Sequence, residues 1–140
     1  MNKAVTYRKK INASTQNLSE VREFVSRHAE KHGFTSRQVA DVQLAVDEAC
    51  TNIIKHAYNY DASKELSIEL EFDDEKMNVT LTDQGIGFDV ERYKKPDLKK
   101  QIARKKRGGM GVYLIRNLMD EVNYYAESRE NVLRMIKNRN

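Results

Sequence analysis

The chain has 140 residues, 33% of them charged and 39% apolar, a size and balance that suit one globular domain and leave no room for two separate cores. Its 25 Lys and Arg against 21 Asp and Glu give a net charge of +4 and a pI near 9.1, which first suggests an anionic partner such as nucleic acid or a membrane surface. No apolar run exceeds the four residues Val112 to Ile115, far short of the roughly 20 that span a bilayer.

In chain order, residues 4–11 alternate weakly, with Val5, Tyr7 and Ile11 on one side, and predict a strand. Asn17-Leu18-Ser19-Glu20 has the form of a capping box, and Leu18, Val21, Val25, His28 and His32 follow at helical spacing to about Lys31, before Gly33. Both histidines sit at the edge of that face, with no cysteine or acidic cluster at metal-ligand spacing. Thr35-Ser36-Arg37-Gln38 predicts a second cap. The stripe Val39, Val42, Val46, Ala49, Ile53 and Ala57 then marks a helix of about twenty residues. The one cysteine, Cys50, lies among apolar residues and reads as a buried filler. Leu66, Ile68, Leu70 and Phe72 alternate with polar residues, as do Met77, Val79 and Leu81, so two antiparallel strands meet at the turn Asp73 to Lys76, and the second ends at Asp83.

From Gln84 to Gly111 the periodicity stops. Five of the six glycines and the only proline fall there, and long irregular segments in small domains are usually lids or binding loops. A helix resumes after Gly111 with Val112, Ile115, Leu118 and Met119, and two strands, Val122 to Ala126 and Val132 to Ile136, close the chain.

Three short groups could carry chemistry. Glu48 and Asn52, four apart on the long helix, project within about 40° of each other and about 100° round from the core stripe, beside the small Ala45. Asp83-Gln84-Gly85-Ile86-Gly87 places a carboxylate at a strand end, where two spaced glycines let backbone approach a flat ligand. A carboxylate there can accept a hydrogen bond from an adenine amino group. Arg107-Gly108-Gly109-Met110-Gly111 runs directly into a helix, whose unpaired first-turn N–H groups suit phosphate. No Gly-Lys-Ser or Gly-Lys-Thr follows, so it is not a Walker loop, and no strand precedes it, so it is not a dinucleotide fingerprint.

In this order the three groups resemble the N, G1 and G2 boxes of the GHKL ATPase superfamily. The stretches Leu44 to Asn52 with Lys55-His56-Ala57-Tyr58, and Gly109 to Ile115 with Leu118 to Val122, resemble the bacterial anti-sigma-factor serine/threonine kinases over almost the whole chain. The resemblance implies an α+β Bergerat fold, a two-layer sandwich with a mixed, mostly antiparallel sheet under helices. It would form one domain over 1–140, with an ATP lid at about 90–110. It also implies ATP and Mg²⁺ as cofactors. Asp83 would receive the adenine amino group, Gly85 and Gly87 would close on base and ribose, and Asn52 would hold Mg²⁺. Gly108, Gly109, Met110 and Gly111 would wrap the phosphates. Glu48 would be the general base toward a protein serine hydroxyl, and Arg107 would reach the γ-phosphate, with Arg104 the second choice and Lys55 on the phosphate side. The last strand departs from the pattern: Asn131-Val132-Leu133-Arg134 stands where the family commonly has Gly-Thr-Thr or a similar hydroxyl pair.

The function so implied is a homodimeric, cytoplasmic serine kinase that phosphorylates an anti-sigma-factor antagonist and sequesters a sigma factor. The alternative is a non-catalytic, ATP-gated binding module using the same pocket. The absence of an apolar leader and of a second cysteine fits a reducing compartment, and no aromatic platform or recognition motif supports direct nucleic-acid binding. The basicity is local, since Arg92 to Arg107 alone carries +8 and the other 124 residues sum to −4. A cationic lid over a triphosphate accounts for it, and the acidic remainder is the expected face for protein partners.

Overall fold

The computed structural model describes residues 4–85, 110–127 and 129–140. Five strands form one sheet in the order β1-β2-β3-β5-β4, comprising β1 (Val5–Asn12), β2 (Glu65–Phe72), β3 (Lys76–Asp83), β4 (Glu121–Glu127) and β5 (Glu130–Asn138). Each described pairing is antiparallel, so the mostly antiparallel sheet implied by the resemblance carries no parallel pair among the described strands. One face of β2 and β3 presents Leu66, Ile68, Leu70, Phe72, Met77, Val79 and Leu81, all essentially fully buried. Against that face lie the buried residues of α1 (Leu18–Lys31), α2 (Ser36–Asn52) and α3 (Met110–Leu118), in one continuous core with α2 packed against both other helices. Burying side chains of this size contributes about 1.5–3 kcal/mol each, so the alternation in β2 and β3 dictates which face the helices cover. No described helix is long and apolar enough to cross a membrane.

The two predicted caps fare differently. Thr35 and Gln38 make a reciprocal box, with Thr35 N–H donating to Gln38 Oε1 at 2.8 Å and Gln38 N–H to Thr35 Oγ1 at 3.2 Å. Gln38 Nε2 also donates to the carbonyls of Asn138 and Arg139, tying the start of α2 to the end of β5. Asn17 makes no side-chain cap. A single 3₁₀ turn, Thr15–Asn17, precedes α1 and is capped one turn earlier by Ser14, while Asn17 Nδ2 donates to the Asn12 carbonyl. Cys50 is fully buried, and burial pushes its thiol up to about 12, as a packing residue requires.

His28 and His32 face β1 and β2. The His28 ring stacks on Tyr7 with centroids 3.7 Å apart, His32 stacks on Phe72 at 4.2 Å, and Tyr7 Oη and His32 Nε2 share a 2.9 Å hydrogen bond. Burial, then the nearby Arg27 and Lys31, hold His28 below the usual histidine range; burial, then Arg139 and Lys31, do the same for His32. The fold therefore favours their neutral forms, and as pH falls the unfolded chain, titrating near 6.5, takes up these protons first. Stability from these rings is complete above pH 6.5 and is lost progressively as pH falls from there through the lowered folded-state values. Thermal melts should show a midpoint that is level between pH 8 and 7 and declines from pH 6.5 to 5. His28→Phe, which preserves the stack, should flatten part of that decline.

Candidate functional site

Asp83 ends β3 on the same side as Met77, Val79 and Leu81, and is 3% exposed. A carboxylate so placed needs donors, and two fall on its Oδ1: the Gly85 N–H and Asn131 Nδ2, each at 2.9 Å. Asn131 lies opposite Asp83 in the β3–β5 register. Burial raises the Asp83 carboxyl above the usual range, against the pull of these two donors. No described hydrogen bond falls on Oδ2.

Gly85 is demanded by contact. A Cβ on it would lie 2.4 Å from the Ala57 carbonyl oxygen and 2.7 Å from that carbonyl carbon. Ala57 belongs to the segment that extends α2. Beyond Asn52 the helix widens into a π turn, Ile53–Ala57, closed by the Tyr58 N–H on the Ile53 carbonyl. The apolar stripe predicts an unbroken helix through Ala57, and the extra residue per turn is the difference; such turns recur at functional sites. Tyr58 then fixes the exit of β3. Its hydroxyl donates to the Glu65 carbonyl at 2.6 Å and accepts the Gln84 N–H at 2.8 Å.

Glu48 and Asn52 are both half-buried in the last two turns of α2, while Ala45 in the same row is fully buried and Lys55 is exposed on the π turn. Asn52 Nδ2 is buried with no hydrogen-bond partner among the described residues. An unpaired buried amide is costly unless something meets it. Amide and carboxylate oxygens one helical turn apart are the hard donors that Mg²⁺ takes. Among the described residues no group of three or more His, Cys, Asp and Glu side chains could hold a metal ion. Mg²⁺ is commonly held by one or two side-chain oxygens together with substrate phosphates and waters, a donor set that Glu48 and Asn52 fit.

The glycine string enters α3, which begins at Met110, two residues before the predicted start, with Gly111 inside its first turn. Val112 and Ile115 anchor this helix beside α2, so its first-turn N–H groups belong to the same layer as Glu48 and Asn52. Gly87, Arg104, Arg107, Gly108, Gly109 and the lid at about 90–110 lie outside the described residues.

Two residues given no role in the sequence reading prove central, Asn131 and Tyr58. Asn131 appeared only as a departure from the family's hydroxyl pair, and Tyr58 only as flanking text. The next residue, Val132, pairs with Thr82 on the face away from the helices, so Asn131 is the one that meets Asp83. A separate cleft of about 260 Å³, lined by Lys10, Ser67, Thr82, Gln84 and Glu130, opens on that face and touches this region through Tyr58 and Asp83.

Residues 11–137 match the family described as histidine kinase-like ATPase domain. The serine-protein kinase RsbW of Halalkalibacterium halodurans is 37% identical over 120 residues, covering 83% of this chain and 73% of the relative. The RsbU and RsbW domains of Rv1364c from Mycobacterium tuberculosis superpose with a TM-score of 0.69 at 13% identity, over 95% of this chain and 32% of that one. A chain of the SiaB-SiaC complex from Pseudomonas aeruginosa gives 0.68 at 14% identity, over 94% and 88%. The chain belongs to the histidine kinase-like ATPase domain family, among relatives of the RsbW serine-protein kinases.

Proposed function

We propose that this chain is an ATP- and Mg²⁺-dependent kinase that phosphorylates a serine on an anti-sigma-factor antagonist, and that it sequesters a sigma factor when the antagonist is phosphorylated. The observation that carries the reading is the buried Asp83, held by Gly85 and Asn131 at the end of β3. Gly85 in turn abuts Ala57 of the π turn that extends α2, and on α2 the Asn52 amide nitrogen is buried with no hydrogen-bond partner among the described residues. ATP and Mg²⁺ supply the transferable phosphoryl group and the charge neutralisation that phosphoryl transfer mainly needs.

The protein's own part is positioning. Asp83 accepts the adenine amino hydrogen, and Gly85 with Gly87 lets backbone close on base and ribose. Asn52 would hold the cation through its side-chain oxygen. Gly108, Gly109, Met110 and Gly111 present N–H groups to the phosphates at the start of α3, where the dipole favours anions. Arg107, or Arg104 as the second choice, reaches the γ-phosphate from the lid, with Lys55 on the phosphate side. Glu48 takes the serine hydroxyl proton as the new bond forms. A single domain, a homodimer and a cytoplasmic location complete the reading.

The test is incubation with labelled ATP, Mg²⁺ and the product of a neighbouring open reading frame that encodes an antagonist-like domain. Label on serine of that protein is the expected result. ATP binding without any transfer would instead establish a nucleotide-gated binding module.

A further inference from the structure

The departure in the last strand has a structural meaning. Asn131 is 5% exposed, and its one amide nitrogen donates to two acceptors, Asp83 Oδ1 and the Gly85 carbonyl, each at 2.9 Å. The Gly85 N–H closes the ring on the same carboxylate oxygen. A primary amide carries two hydrogens, so both acceptors are met by one group. A hydroxyl carries one hydrogen and can satisfy one of them, so a serine or threonine could not make this ring. Two donors on Oδ1 set the plane of the carboxylate and therefore the direction of Oδ2, while the bond to the Gly85 carbonyl holds the turn that follows.

We infer that Asn131 is the positioning residue for purine selection, acting through Asp83 and Gly85 to aim one carboxylate oxygen at the exocyclic amino group that distinguishes adenine from a 6-oxopurine. The inference rests on the nucleotide-binding reading proposed above. Its chemistry is a match of polarity: a fixed carboxylate oxygen accepts from a 6-amino group and repels the acceptor oxygen of a 6-oxo base. A site built to receive a specific donor rejects the analogue lacking it strongly, because buried groups are then left unpaired.

The experiment measures dissociation constants for ATP and for ITP, its 6-oxo counterpart, in Mg²⁺ with the full chain. Wild type should prefer ATP by about 100-fold. Asn131→Ala should weaken ATP about tenfold and leave ITP within about threefold, the loss expected for one hydrogen bond to a charged group. Asn131→Ser, which keeps one of the two donors, should fall between the two and serves as the informative variant if the alanine variant does not fold. Equal weakening of ATP and ITP, or an unchanged ratio, would show that Asn131 only joins β3 to β5 and would overturn the inference. A wild-type chain that binds neither nucleotide would instead overturn the nucleotide-binding reading itself.

Discussion

Glu48→Gln should lower phosphate transfer to the acceptor serine by about 10²–10⁴-fold, the range for removing a general base, while ATP affinity stays within about threefold. The substitution conserves volume and polarity at a half-buried position on α2, so the helix and the neighbouring Asn52 are undisturbed. What disappears is an oxygen able to take the serine proton. Phosphoryl transfer depends largely on positioning and charge neutralisation, which places the expected loss toward the lower end of the range. Single-turnover transfer at saturating acceptor, set beside equilibrium titration of ATP, separates the outcomes. Transfer within threefold of wild type would remove Glu48 from the chemistry. Parallel loss of transfer and affinity would make it a binding residue.

The secondary structure was legible where a local pattern has one cause. Alternation in Leu66 to Phe72 and Met77 to Leu81 has no competing reading, and Thr35 with Gln38 is a complete box in four residues, so both stand in the structure as read. Asn17 stands at the N-cap position of α1 as read but makes no side-chain cap, because the signature does not distinguish a residue with extended backbone from one that already lies in a 3₁₀ turn feeding the helix. The π turn at Ile53–Ala57 was invisible for a similar reason: Ile53 and Ala57 face the core at helical spacing, and widening the turn leaves both buried. In the candidate site, Asp83 and Gly85 could be named from their spacing, and Asn52 from its distance to Glu48. Asn131 could not be given its role, because its partners lie 48 and 46 residues away and meet it only through the β3–β5 register. Long-range pairing of that kind leaves no periodic trace in a single chain.

Gly85→Ala should reduce ATP affinity by at least about 100-fold and lower thermal stability by about 1–3 kcal/mol, the usual cost of forcing a methyl group into packed space. The new Cβ would stand 2.4 Å from Ala57 O, 2.7 Å from its carbonyl carbon and 2.9 Å from its Cβ. Two of these are backbone atoms, which cannot rotate aside as a flexible side chain can. Either the π turn or the exit of β3 must move. The π turn is held through Tyr58, whose N–H closes it and whose hydroxyl joins Glu65 to Gln84. Displacement of the exit breaks the Gly85 N–H bond to Asp83 and the Asn131 bond to the Gly85 carbonyl. The carboxylate then keeps its burial and loses its alignment. Gln84→Ala, at the exposed neighbour whose backbone N–H makes the Tyr58 bond, keeps that bond and should bind ATP as wild type does. Nucleotide titration and thermal melts of the two variants side by side decide the matter. If Gly85→Ala bound ATP within threefold of wild type, the close approach of β3 to the π turn would have no part in forming the nucleotide site.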